Sequence, residues 1–483
     1  MNENFTKNQD EEKTKNNLIN KEIINDNLEE WIMNEKQFGK IHQKIIYLDF
    51  SSIPISHNNV VYCFYTLYNA YSQQNIELTI QTLEALRFCA QSSILCEFPE
   101  FHQYNFPIIF EELLLSQVRD VQIGVIRFIA ELSRSNEQKL FELIIKCSFH
   151  NNSLVAASKY INDEYFILDL FKCYYENVKN FPSTRNLIIK LEFLEFYRKI
   201  ILNNSFKIET RRFPLKIFRV ISKADDFSLI QLNIILNFIV PLFKIQQASD
   251  LWINFLTLAK KIITNQETCQ AVLNNFSTIC LNFIMNNKNV AIVANSILLL
   301  GRHFMYFDTP IDIDLNKLVK LSKSSKDTVS YAALWMISNM IVSHPIYYAL
   351  FIEKGIMQIV VNKIESDCAM KTKFEAVSVM ANLVNKGNEA ARIQCIQSGF
   401  IHCFLDILSV DIKKFINTAM NPLYILLELA SSNTDWYSAW QEFEEYDGFT
   451  IINELTENSD ELISSKAIVF YNSLCFLRRN IEI

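Results

Sequence analysis

The sequence predicts an all-α solenoid, a stack of short helical units repeated along one chain. Three observations predict it. Glycine and proline number only seven and nine in 483 residues, too few turn formers for a wound α/β domain or a sandwich. Half of the residues are apolar. They recur at three- and four-residue spacing in segments such as IELTIQTLEALRFCA and DVQIGVIRFIAELS, the period of a helix face. Related segments also return at a fixed interval. Trp335, Ser378 and Asn421 hold the same place in SYAALWMISNMIV, KFEAVSVMANLVN and FINTAMNPLYILLELA, each 43 residues after the last.

That period, with helical content, lies in the armadillo/HEAT range. Each unit reads as a short first helix, a second helix and a long third helix. Glycines precede three similar apolar runs: GIMQIVVNKI from Gly355, GFIHCFLDIL from Gly399 and GFTIINEL from Gly448. A glycine there permits the sharp turn that folds one helix back on the next. One unit cannot bury its apolar face alone, so the array needs several stacked units. The expectation is a right-handed armadillo superhelix of about nine or ten three-helix repeats.

Residues 1–45 stand apart. They hold seven lysines, nine acids and no arginine, a composition that predicts disorder or loose helix. A short helix around Leu28, Trp31, Ile32 and Phe38 is the alternative there. Residues 46–290 read as degenerate repeats, blurred between about 150 and 290, where Pro182, Pro214 and Pro241 mark helix starts or kinks. Residues 291–476 carry the clear repeats. Residues 477–483 read as a short polar tail, with Arg478, Arg479 and Asn480 as a polar cap.

Several function classes are disfavoured. A net charge of −7 argues against phosphate-backbone binding and so against nucleic acid. The eleven cysteines form no CxxC pair, and a site around Cys395, His402 and Cys403 lacks a fourth ligand, so buried free thiols and no metal are expected. The longest apolar stretch, Ile234 to Phe243, is too short to span a bilayer. No phosphate loop, HExxH or GxSxG motif is present, and neither catalysis nor a cofactor is expected.

The repeats from about residue 290 to 475 carry a family resemblance. SYAALWMISNMIVSH followed by IEKGIMQIVVNKI resembles the seventh armadillo repeat of importin-alpha. KFEAVSVMANLVNKGNEAARIQCIQSGFIHCFLDIL is similar to the eighth and FINTAMNPLYILLELA to the ninth. EEYDGFTIINELTENSDELISSKAIVFYNSL is similar to the tenth. The resemblance implies a groove lined by third helices, each with a Trp and an Asn four residues apart, which holds basic nuclear localisation signals of cargo. Residues i and i+4 share a helix face. An indole face suits a Lys or Arg cation, and an Asn amide can clamp an extended backbone.

Trp335 and Asn339 form the one intact pair. By the resemblance they belong, with Glu375, Ser378 and Asn382, to the family's minor site. Glu375 holds the place of a carboxylate for the bound cation, Ser378 stands where Trp is expected, and Asn382 keeps the amide. Read from the residues alone, Trp335 is a core residue, Glu375 a solvated helix residue and Asn382 a cap or a neutral surface residue. Leu298 and Arg302 hold the pair positions one repeat earlier, and Arg302 would set a positive charge at the groove's edge. At the family's major site, Ile126 and Ala130 replace the pair. The resemblance also implies importin-beta or an export receptor as partners, and residence in cytoplasm and nucleus, although residues 1–45 lack the family's arginine-rich arm. Ten acids and no base lie from Glu428 to Glu461, either a solvated face or an attraction for a basic partner. Trp436 and Trp440 within it are packing residues or an exposed patch. The alternative to import is an armadillo scaffold in a cytoskeletal, vesicular or ciliary assembly.

Overall fold

The structure, a computed structural model, describes residues 57–91, 105–135, 141–142, 148–410, 412–432 and 437–481. The segment 1–45, its apolar stripe and Trp436 lie outside these. Among the described residues every regular element is a helix. The chain divides into two compact units, residues 1–98 and 99–483.

In the first unit, α1 (His57–Ser72) and α2 (Ile76–Gln91) form an antiparallel hairpin. Val60, Phe64 and Leu67 of α1 and Leu83, Leu86 and Ala90 of α2 are wholly buried. The turn closes through Gln73 N–H to the Asn69 carbonyl at 2.9 Å, with Gln74 in the left-handed region.

The second unit is a continuous stack. Its helices of eight residues or more are α3 (Phe106–Leu114), α4 (Arg119–Arg134), α5 (Phe149–Lys159), α6 (Glu164–Asn180), α7 (Leu191–Leu202), α8 (Phe213–Ile221), α9 (Leu229–Ile239), α10 (Trp252–Ile262), α11 (Gln266–Asn286), α12 (Val290–Gly301), α13 (Leu315–Ser322) and α14 (Asp327–Ser343). Then come α15 (Pro345–Glu353), α16 (Ile356–Glu365), α17 (Met370–Lys386), α18 (Glu389–Gln397), α19 (Phe400–Leu408), α20 (Lys413–Ser431), α21 (Ser438–Glu445), α22 (Gly448–Thr456) and α23 (Glu461–Ile481). One row runs through the unit: α4, α6, α8, α10, α12, α14, α17, α20 and α23, each packed on the next. These are the third helices, and the row crosses residue 290 without a break. The final helix takes in residues 477–481, where the sequence suggested a tail.

Third helices inside the row are buried on two sides, as α14 illustrates, whereas the terminal α23 buries the single stripe Ile463, Ala467, Phe470 and Leu474. On α14, Val329, Ala332, Ala333, Met336, Ile337, Met340 and Ile341 are all buried, which leaves a narrow polar stripe. Burial of each large apolar side chain contributes about 1.5–3 kcal/mol before the entropy of ordering. Polar ties then set the register between repeats, and most join residues about one period apart. Arg127 Nε donates to Asp169 at 2.8 Å, Gln231 Nε2 to Asn186 at 2.7 Å and Asn382 Nδ2 to Ser338 Oγ at 2.9 Å.

Glycine turns open α16 and α19, where Gly355 and Gly399 take φ of 75° and 82°. The third expected glycine turn is shifted by one residue. Asp447 adopts the left-handed conformation at φ 53° and Gly448 is already helical. A Cβ on Gly448 would stand 2.4 Å from the Phe443 ring, so close packing explains that glycine. Pro182, Pro214 and Pro241 each sit in the first turn of a helical segment, where a missing N–H costs nothing. Pro422 lies inside α20. Trp440 is wholly buried, stacked on Phe449, with its indole N–H donating to Ser431 Oγ at 3.1 Å.

Candidate peptide-binding site

The five expected site residues lie on two adjacent helices of the row. Trp335 and Asn339 are on α14, and Glu375, Ser378 and Asn382 are on α17. Trp335 is half-buried. Its inner edge rests on Gly301 at the end of α12, where a Cβ would come within 2.5 Å of the ring. Only glycine lets the indole lie this close. The guanidinium of Arg302 lies over the ring, 5.8 Å from its centroid. This cation–π contact fills the ring face that the resemblance reserves for a ligand.

Asn339, one turn on, is half-buried with an amide nitrogen that has no hydrogen-bond partner. An unsatisfied buried donor costs about 1–3 kcal/mol. Asn382 is committed differently. Its amide nitrogen donates to the Ser338 carbonyl at 3.2 Å and to Ser338 Oγ at 2.9 Å, so it ties α17 to α14. Ser378 turns its hydroxyl back to the Phe374 carbonyl at 2.9 Å.

Glu375 is buried, with 6% exposure. Desolvation pushes its carboxyl up to about 7, opposed by the charge of Lys414. It is thus a partly protonated group near neutrality, where the sequence suggested a plain carboxylate. Lys414, from the next repeat, lies 3.6 Å from the centroid of the Phe374 ring. Tyr331, one turn before Trp335, is half-buried, and its hydroxyl is held above its usual range by desolvation and then by the Glu375 charge, against Arg302. Sequence reasoning missed Tyr331 and Lys414. Both lie a turn or a repeat from marked positions, and a search for aromatic or basic residues there would have found them.

The residues at the expected major site differ. Ile126 is wholly buried and Ala130 nearly so. Partly buried ion pairs join α4 and α6 instead: Arg119–Asp163 at 2.5 Å, Arg127–Asp169 at 2.8 Å and Arg134–Glu176 at 3.1 Å. In the acidic stretch, Glu442 bonds His402, Glu444 pairs with Arg478 at 2.6 Å, and Asp460 pairs with Lys413. That charge is partly spent within the chain. Among the described residues no helix is long and apolar enough to cross a membrane.

No family model matches the sequence, and no curated protein matches it. Solved structures match the fold. An engineered protein aligns over 89% of this chain and all of its own, with 14% identity and a TM-score of 0.55. Kap121p bound to RanGTP aligns over 89% of this chain with 12% identity and a TM-score of 0.50. A Kap121p substitution mutant aligns over 90% of it with 11% identity and a TM-score of 0.51. The chain spans less than half of the Kap121p chains, 42% and 43% of their length. At such identities the likeness is one of fold, and the fold is an α-solenoid of helical repeats.

Proposed function

We propose that this chain binds extended, Lys/Arg-bearing segments of protein partners across α14 and α17, as a nuclear-import adaptor for basic localisation signals. One observation carries the reading. One face of the half-buried Trp335 ring stacks a cation, so the surface suits one, and a ligand cation takes that face by displacing Arg302. Asn339 adds an unpaired amide one turn away, and Glu375 adds a carboxyl whose proton a bound cation would expel. The site binds and does no covalent chemistry. Importin-beta or an export receptor are the further partners of this reading, with residence in cytoplasm and nucleus. RanGTP, the partner of Kap121p in one solved structure, is a protein, which agrees with a protein ligand class.

The test is fluorescence anisotropy of a labelled basic peptide. Trp335→Ala is expected to weaken binding by about 0.5–2 kcal/mol. Arg302→Asn is expected to strengthen it by freeing the ring. Equal affinity in wild type and Trp335→Ala removes the indole from the site.

A second reading is a non-transport scaffold in a cytoskeletal, vesicular or ciliary assembly. Arg302 and Lys414 already stacked on the row's own rings, and Asn382 tied to Ser338, favour it. A pull-down comparing wild type with the Trp335→Ala/Asn339→Ala double variant separates the two. Nuclear cargo with transport receptors, lost in the variant, supports import. Cytoskeletal partners retained in both support the scaffold.

A further inference from the structure

A second cluster lies away from the Trp335 surface, on the first and second helices of the last repeats. His402 and Cys403 are on α19, Glu365 ends α16 in the preceding repeat, and Glu442 is on α21 in the following one. The His402 ring is fixed from three sides. Gly399 lies beneath it, where a Cβ would come within 2.4 Å of Cε1. Tyr446 stacks on it, with ring centroids 5.3 Å apart and planes 23° apart. Glu442 Oε1 lies 2.7 Å from Nδ1 and also accepts the His402 backbone N–H at 3.3 Å.

With Nδ1–H donating to Glu442, a neutral imidazole presents the lone pair of Nε2. That nitrogen faces Glu365 Oε1 at 3.4 Å. Two acceptors at this distance repel unless a proton or a cation lies between them. One ligand atom each from Glu365, His402 and Cys403 falls within 4.8 Å of the others. In a tetrahedral zinc site, bonds of about 2.0–2.2 Å to N and O put those two atoms about 3.3 Å apart, close to the observed spacing. Cys403 is wholly buried at the back of the cluster, and the Glu365 side chain is half exposed at the front, which gives an ion a way in. Asp406 and Lys373 complete the charged groups nearby.

We propose that Glu365 Oε1, His402 Nε2 and Cys403 Sγ form a zinc site, with Glu442 as the outer carboxylate that orients the imidazole. Mixed O, N and S donors suit a borderline cation such as Zn²⁺. A carboxylate on the far ring nitrogen is the usual support of a metal-bound histidine. Binding takes Cys403 as the thiolate and releases its proton to solvent. The fourth position is left to water or to a partner's side chain. Such a site joins two consecutive repeats through one ion, and Glu442 ties in the third through the imidazole. The sequence reading sought ligands only among neighbouring cysteines and histidines. The third donor comes instead from a glutamate in the preceding repeat.

The experiment is a titration of the full chain with Co²⁺, the spectroscopic substitute for Zn²⁺. One equivalent is expected to bind with a thiolate-to-cobalt charge-transfer band and to be displaced by Zn²⁺. Cys403→Ser should abolish that band, and Cys475→Ser should leave it intact. His402→Gln should weaken binding at least tenfold, and Glu442→Gln by roughly 10–100-fold. Glu365→Gln, at an exposed helix end, tests the third ligand where folding is not at stake, and circular dichroism verifies the fold of every variant. No saturable uptake by the wild type, or a charge-transfer band that survives Cys403→Ser in a folded protein, overturns the proposal. The first outcome assigns the gap between Nε2 and Glu365 to a proton.

Discussion

α4 and α14 occupy the same station in their repeats, yet they present opposite surfaces. On α4 the paired positions are Ile126 and Ala130, both buried, and ion pairs to α6 cover what remains. On α14 the same positions are Trp335 and Asn339, both half-buried, one under a cation and the other with an unpaired amide. The backbone row is continuous between them. The surface a repeat presents is therefore set repeat by repeat, by which side chains the common stack can spare from its core.

The largest expected effect tests the sealed end. Ile126→Ala removes a wholly buried side chain and should destabilise its repeat by about 2–5 kcal/mol. Because stability in a repeat array is the sum of neighbouring terms, the loss should concentrate in α4 and α6. Amide hydrogen exchange reads this directly. Protection lost evenly along the row would mean that the two ends do not behave as separate surfaces.

The next effect belongs to the open end and depends on pH. Burial holds the Glu375 carboxyl at about 7, above its ordinary value of 4.5. The folded state thus keeps the proton more tightly than the unfolded chain. This contribution is complete below about pH 4.5 and is lost as pH rises through about 7. The shift corresponds to roughly 3 kcal/mol at full ionisation. Glu375→Gln cannot ionise, so its urea midpoint should match wild type at pH 4 and exceed it at pH 8. A constant difference at both values would show that the buried carboxyl is not the titrating group. On α4 and α6, buried Glu131 and Glu176 instead pair with Arg134, which is why the two ends call for different experiments.

Much of this organisation is legible in the sequence, for local reasons. The 43-residue recurrence locates α14, α17 and α20, and Gly355 and Gly399 locate two of the turns, because helix period and positive φ leave strong marks on residue choice. The middle region reads poorly for a physical reason. Its third helices shorten to nine and eleven residues in α8 and α10. Its core also packs through aromatic contacts such as Phe171–Phe196 and Tyr197–Phe218, so the aliphatic pattern fades. The site is only partly legible. Trp335 and Asn339 are visible as an i, i+4 pair, and Arg302 is visible as an unwelcome charge. That Asn382 ties to Ser338, that Lys414 faces Glu375, and that Glu365 meets His402 all depend on contacts about 40 residues apart, which no local pattern records.

The smallest expected effect on stability lies at the hinge of the comparison, Gly301. The indole of Trp335 can sit half in the core only because this residue has no Cβ. A methyl group there would meet ring carbons at 2.5 and 3.0 Å, and a rigid indole cannot yield as a flexible chain would. Gly301→Ala should therefore push the ring outward or strain α12, at a cost of about 1–3 kcal/mol, offset in part by the better helix propensity of alanine. The optical signature should exceed the thermal one, because an outward ring loses its packing and its stack on Arg302 together. Tryptophan emission should shift to the red, and the shift should vanish in the Trp335→Phe background. An unchanged spectrum would mean that the indole does not rest on Gly301, and α14 would then present its surface for some reason other than the missing methyl group beneath it.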